Sequence, residues 1–171
     1  AAKAHLVSKE KKQVNPAPPK GWATFTFADL KTQTAPIDAE KAIVFFNGAV
    51  PGWHVALSSS IPRRKIVHQL TYHLNTLSPD RPTVVLLLGA GCEGKTTALM
   101  QAAYAILEQN QSWRILRRAD EGRKVDHEEL IPFLQSGDNW IVVVDEADNA
   151  ARGLVSTLQQ LPEQVRGKVH V

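Results

Sequence analysis

The chain has 171 residues, 43% of them hydrophobic and 22% charged, the composition of one ordinary globular domain. No apolar stretch approaches the ~20 residues of a membrane span, no signal-peptide pattern is present, and the single cysteine, Cys92, excludes an internal disulfide framework and suits a reducing cytoplasm. Five lysines against one glutamate put +4 into residues 1–21 and leave −1 for the remainder of a chain whose total is +3, so the basic surplus belongs to a solvated leader and a nucleic-acid partner is not expected.

Residues 1–21 read as a flexible Lys/Pro-rich leader or linker, closed by Pro16, Pro18 and Pro19. From Trp22 to Phe27 the pattern alternates, with Ala23, Phe25 and Phe27 against Thr24 and Thr26, which predicts a half-buried strand. An apolar run from Ala42 to Phe46 ends at the Asn47-Gly48 turn, and Pro51 opens a brief helix through Trp53 and Leu57. A longer helix follows Ile61-Pro62, with Ile66, Leu70 and Leu74 on one face, and stops at Ser78-Pro79.

The continuous apolar run 83–88 predicts a buried parallel strand, and Leu99, Ala102, Ala103, Ile106 and Leu107 predict a helix over 97–108. A strand from Ser112 to Leu116 and a helix from Asp126 to Leu134 come next; Asp126 is the cap, and Leu130, Ile131 and Leu134 face inward. A strand over 140–144 precedes a helix from Asn149 to Leu161, with Leu154, Leu158 and Leu161 in register. Strands alternating with helices predict an α/β domain with a parallel sheet. No internal repeat is visible. The six histidines show no metal-ligand spacing, and Arg114, Arg117, Arg118, Arg123 and Lys124 read as a solvated rim.

Two motifs carry chemistry. Gly89-Ala90-Gly91-Cys92-Glu93-Gly94-Lys95-Thr96 fits G-x-x-x-x-G-K-[ST], and the strand before it and helix after it are the context that pattern requires. Backbone N–H groups of such a loop and the positive end of the next helix converge on one polyphosphate. Lys95 would reach the β- and γ-phosphates, and the Thr96 hydroxyl would ligate Mg²⁺. Fifty residues after Lys95, the strand over 140–144 ends in Asp145 and Glu146. A carboxylate at such a strand tip serves a Mg²⁺ site, and the following one is placed to polarise an attacking water. A nucleoside triphosphate or diphosphate with Mg²⁺ is therefore the expected cofactor set, ATP or ADP once the resemblance below is added, and residues 89–97, Thr97 included, are the expected binding segment.

With these motifs the chain resembles the STAND class of P-loop NTPases, signal-transduction ATPases related to the AAA+ group. The features are the short interval from Lys95 to Asp145-Glu146 and the stretch Ile61-Pro62-Arg63-Arg64-Lys65-Ile66-Val67 ahead of the loop. The stretch Phe45-Phe46-Asn47-Gly48-Ala49-Val50-Pro51-Gly52-Trp53 is similar to one bacterial subgroup found in multidomain proteins, many linked to phage defence. The resemblance covers about residues 42–171. It implies a three-layer P-loop fold with sheet order 5-1-4-3-2. Residues 22–82 are then an N-terminal extension with the arginine-led helix, and 83–171 the N-terminal part of the core. Carried over, Lys95 and Glu146 act catalytically, Thr96 and Asp145 hold Mg²⁺, and Arg63 lies near the base.

One departure is Cys92, where a glycine is usual; at φ > 0 a cysteine costs about 1 kcal/mol. Asp145-Glu146-Ala147-Asp148 also spells the acidic motif of DEAD-box helicases, but the loop spelling and the spacing disagree with that family. Lys168-Val169-His170-Val171 resembles the beginning of the central fourth strand, so the expectation is a core truncated before that strand is complete and poorly stable alone. The class implies an oligomerising switch with slow, regulatory ATP hydrolysis, and effector and sensor domains outside this chain. A non-hydrolysing assembly module and a nucleic-acid-remodelling ATPase are the alternatives.

Overall fold

The computed structural model describes residues 17–76, 81–91 and 93–171. The leader up to residue 16, the Ser78-Pro79 stop and Cys92 lie outside the described residues. Four strands form one sheet in the order β1 (Trp22–Phe25), β2 (Trp113–Arg118), β3 (Asn139–Val143), β4 (Val169–His170). β2, β3 and β4 run parallel, whereas β1 lies antiparallel on β2, so the sheet is mixed and not purely parallel.

Around it lie α1 (Phe27–Leu30), α2 (Ala39–Phe46), α3 (Trp53–Ala56), α4 (Lys65–Thr76), α5 (Lys95–Gln109), α6 (His127–Leu134), α7 (Ala147–Gln160) and α8 (Glu163–Arg166). Phe27 opens α1 instead of ending β1, because Thr26 and Asp29 close a reciprocal capping box that satisfies the first turn's N–H groups. Two charged caps fix helix starts in the same way: the Asp38 side chain accepts from Lys41 N at 2.8 Å and Asp126 from Glu128 N at 2.9 Å. The Thr26 hydrogen bonds hold the Asp29 carboxyl below its ordinary value.

The strands alternate between two cores. Ile115, Ile141 and Val143 pack with Met100, Ala103 and Leu107 of α5, together with Leu30 and Trp53. Leu116, Trp140, Val142 and Val169 face Leu130, Phe133 and Leu134 of α6 and Leu154 of α7. Val67 and Leu70 of α4 pack on Ala98 and Ala102 of α5, which sets the start of α4 beside the start of α5. Ile131 and Leu158 are only half-buried, and Phe133 takes the inward place beside Leu134. Arg118 departs from the expected solvated rim. It is 4% exposed and donates to the carbonyls of Glu121 and Arg123 at 2.7 and 2.8 Å.

The run 83–88 is not a full strand. Thr83 bridges His170 in parallel, Thr83 N donates to Val169 O, and Val85 and Val171 continue the pairing at 2.8 Å. No backbone hydrogen bond between described residues joins Leu86, Leu87 or Leu88. Val84, Leu86 and Leu88 are 51%, 68% and 86% exposed. A cavity of about 440 Å³ separates this segment from the end of β3, lined by Leu70, Leu74, Leu99, Val142 and Leu154.

Gly153 and His170 each support an expected result. A Cβ at Gly153 would lie 2.5 Å from Val125 O and 2.6 Å from Val125 Cβ, at the junction ahead of α6. Alanine normally stabilises a helix interior over glycine by about 1 kcal/mol; here the collision reverses the sign. Gly153→Ala is expected to destabilise by roughly 1–3 kcal/mol, read from the urea midpoint.

His170 is 7% exposed, stacks on Trp113 with centroids 4.4 Å apart, and has no side-chain partner for Nδ1 among the described residues. Burial lowers its pKa from 6.5. The unfolded chain therefore takes up a proton near pH 6.5 that the native chain refuses, and stability is lost as pH falls below that value. His170→Phe keeps the stacked ring and is expected to flatten the slope between pH 7.5 and 5.5 in thermal unfolding.

Candidate functional site

The loop after residue 88 turns into α5 through Gly94, whose φ of 70° and ψ of 30° place it in the left-handed region that glycine adopts without strain. At Gly89 a Cβ would meet the Glu93 carboxylate, the free end of an exposed side chain that can move aside. Lys95 folds back over the loop, its Nζ donating to Gly89 O at 3.0 Å and to Ala90 O at 2.5 Å. Lys95 and Thr96 are half-buried at the first turn of α5, and Thr97 is buried.

Asp145 arrives from the other side, just past the C-terminal end of β3. The Thr96 hydroxyl donates to Asp145 Oδ2, so the loop's last hydroxyl and the acid at the strand tip share one point. Thr96 and Asp145 are hard oxygen donors of the kind Mg²⁺ takes, and their adjacency fits such an ion. The next residue, Glu146, is exposed and caps α7 with φ 49° and ψ 60°. Among the described residues it is the one non-glycine with positive φ. Its N–H donates to Asp145 Oδ1 at 3.3 Å. Strain of this kind, of order 1–3 kcal/mol, concentrates where a side chain must be held in a set direction.

The two arginines ahead of α4 part company. Arg63 pairs with Glu108 near the far end of α5 at 2.6 Å, and its guanidinium lies 5.9 Å from the Tyr104 ring centre. Burial and the Glu108 charge raise the Tyr104 pKa. Arg64 instead donates through Nη1 to the carbonyl of Glu93, inside the loop. Gly89, Ala90, Glu93, Lys95, Thr96 and Asp145 are therefore linked, with Glu146 lining the same cavity as Gly89 and Lys95; Arg63 stands apart from them, and Arg64 joins them. The basic run 63–65 signalled a charged helix start but not which side chain faces the loop.

No group of three or more His, Cys, Asp or Glu among the described residues forms a further metal cluster, and no described helix is long and apolar enough to cross a membrane. A family model described as Novel STAND NTPase 5 matches residues 43–171. No curated protein and no solved structure matches the chain.

Proposed function

Because the chain belongs to the Novel STAND NTPase 5 family, a family of nucleotide-binding switch modules, we propose that it is an ATP/ADP-binding switch governing the oligomerisation of a larger signalling or antiphage-defence protein. The observation that carries this reading is the meeting of Thr96 with Asp145 beside Lys95. Two motifs fifty residues apart in the chain bring a hydroxyl, next in sequence to the lysine whose ammonium bonds the loop carbonyls of Gly89 and Ala90, onto a carboxylate.

In this reading Lys95 holds the β- and γ-phosphates, and loop N–H groups from residues 89–91 and 93–96 surround them. Thr96 and Asp145 hold Mg²⁺, which when bound offsets phosphate charge. Glu146 orients a water and accepts its proton as the water oxygen bonds to the γ-phosphorus; the bond to the bridging oxygen breaks, leaving ADP and phosphate. The strained backbone at Glu146 supports its assignment as the water-orienting acid. Turnover is slow, as regulation requires, and the bound diphosphate defines the resting state.

The position of β4 between the 83–85 segment and β3 supports a three-layer P-loop core, with 1-4-3-2 as part of the order 5-1-4-3-2. Residues 22–82 form the extension in front of that core, and effector and sensor domains lie elsewhere in the parent protein. The test is the identity and amount of nucleotide released when the purified full-length protein is denatured. About one ADP per chain supports the switch; an empty site removes it.

A further inference from the structure

We propose that Arg64 is a positioning residue for the phosphate loop. It fixes the Glu93–Gly94 peptide so that the loop's N–H groups are aimed at the anion before it arrives; this rests on the nucleotide reading above.

Arg64 stands one residue ahead of α4, and the packing of Val67 and Leu70 on Ala98 and Ala102 brings that helix start against the loop. Its Nη1 donates to Glu93 O. The same guanidinium covers Gly94: a Cβ there would lie 3.0 Å from Nη2 and 3.1 Å from Cζ. Gly94 therefore serves twice, once for its positive φ and once for the close approach of the arginine. No carboxylate forms an ion pair with Arg64 among the described residues, whereas Arg63, Arg114 and Arg123 each have one.

The consequence follows from peptide geometry. A trans peptide is planar, and its C=O and N–H point to opposite sides. Holding the Glu93 carbonyl toward Arg64 turns the Gly94 N–H away from that arginine, within the loop that Lys95 closes through its bonds to Gly89 and Ala90. Without Arg64 this peptide turns freely, because Gly94 tolerates both signs of φ. Phosphate then has to order the loop as it binds, and affinity falls by the cost of that ordering. The guanidinium also attaches the loop to α4, so a shift of that helix is felt as a shift of the phosphate donors.

The experiment compares wild type, Arg64→Ala, Arg64→Lys and Lys95→Ala in the full-length protein, titrating Mg²⁺–ADP and, separately, adenosine by calorimetry. Arg64→Ala is expected to weaken ADP about tenfold, the scale of one charged hydrogen bond, with adenosine affinity and nucleotide-free unfolding temperature unchanged. Arg64→Lys retains an N–H donor and recovers most of the loss. Equal losses for ADP and adenosine, or a lowered unfolding temperature, mean general support of the fold and overturn the proposal. Full ADP affinity in Arg64→Ala with loss in Lys95→Ala overturns the proposal alone; full affinity in both removes the nucleotide reading as well.

Discussion

Lys95→Ala is expected to leave the purified protein without nucleotide. Among the described residues the ammonium is held by two loop carbonyls, Gly89 O and Ala90 O, so it gives little to the fold and is able to turn to a phosphate. A hydrogen bond to a charged group is worth roughly 1.5–3 kcal/mol, or about 10- to 100-fold in affinity. A loss of that size empties a site during purification. Unfolding of the nucleotide-free protein should change by less than about 0.5 kcal/mol, as for other substitutions remote from a packed core. Nucleotide content equal to wild type in the variant would dismiss the phosphate loop as a binding element.

The second large effect concerns Glu146. Glu146→Gln is expected to lower ATP hydrolysis by about 10²–10³-fold, the usual contribution of a positioned general base, and to enrich the purified protein in ATP over ADP. The glutamine keeps the shape and the backbone of the original, so the fold should be unaffected. Glu146→Gly relieves the strain and removes the carboxylate together. Glycine adopts φ 49° freely, and it should stabilise the protein by up to about 1 kcal/mol while hydrolysis is lost. A gain in stability measures the strain carried by the native backbone. Unchanged hydrolysis in Glu146→Gln would instead support a module that binds nucleotide without turning it over.

What the sequence revealed followed how local the deciding interactions are. The start of α6 was legible at Asp126 because a cap is settled within three residues. The helix α5 was legible from its apolar face, and the meeting of Thr96 with Asp145 was implied by a motif whose spacing already encodes a fold. Phe27 was misplaced because two local signals competed there, and the Thr26–Asp29 box prevailed over the alternation. The antiparallel pairing of β1 depends on residues 115–118, ninety positions away, which no local pattern reports.

The run 83–88 has the composition of a buried strand, yet burial needs a neighbour on each side, and Leu86 and Leu88 have none among the described residues. At the site, Arg63 and Arg64 are neighbours in the non-helical segment ahead of α4, and it is the tertiary packing of α4 on α5, not a local pattern, that brings Arg64 to the loop and Arg63 to Glu108.

The open flank of the phosphate-loop segment bears on the protein in solution. Val84, Leu86 and Leu88 are exposed, and beyond the Val85 pairing no backbone hydrogen bond between described residues joins Leu86, Leu87 or Leu88; an extended, apolar, unpaired edge templates the addition of another extended chain. Whatever covers this edge also protects the chain from coalescing with its own copies. The surface that supports the nucleotide loop is thus the one whose shielding decides how concentrated the protein can become before it clusters.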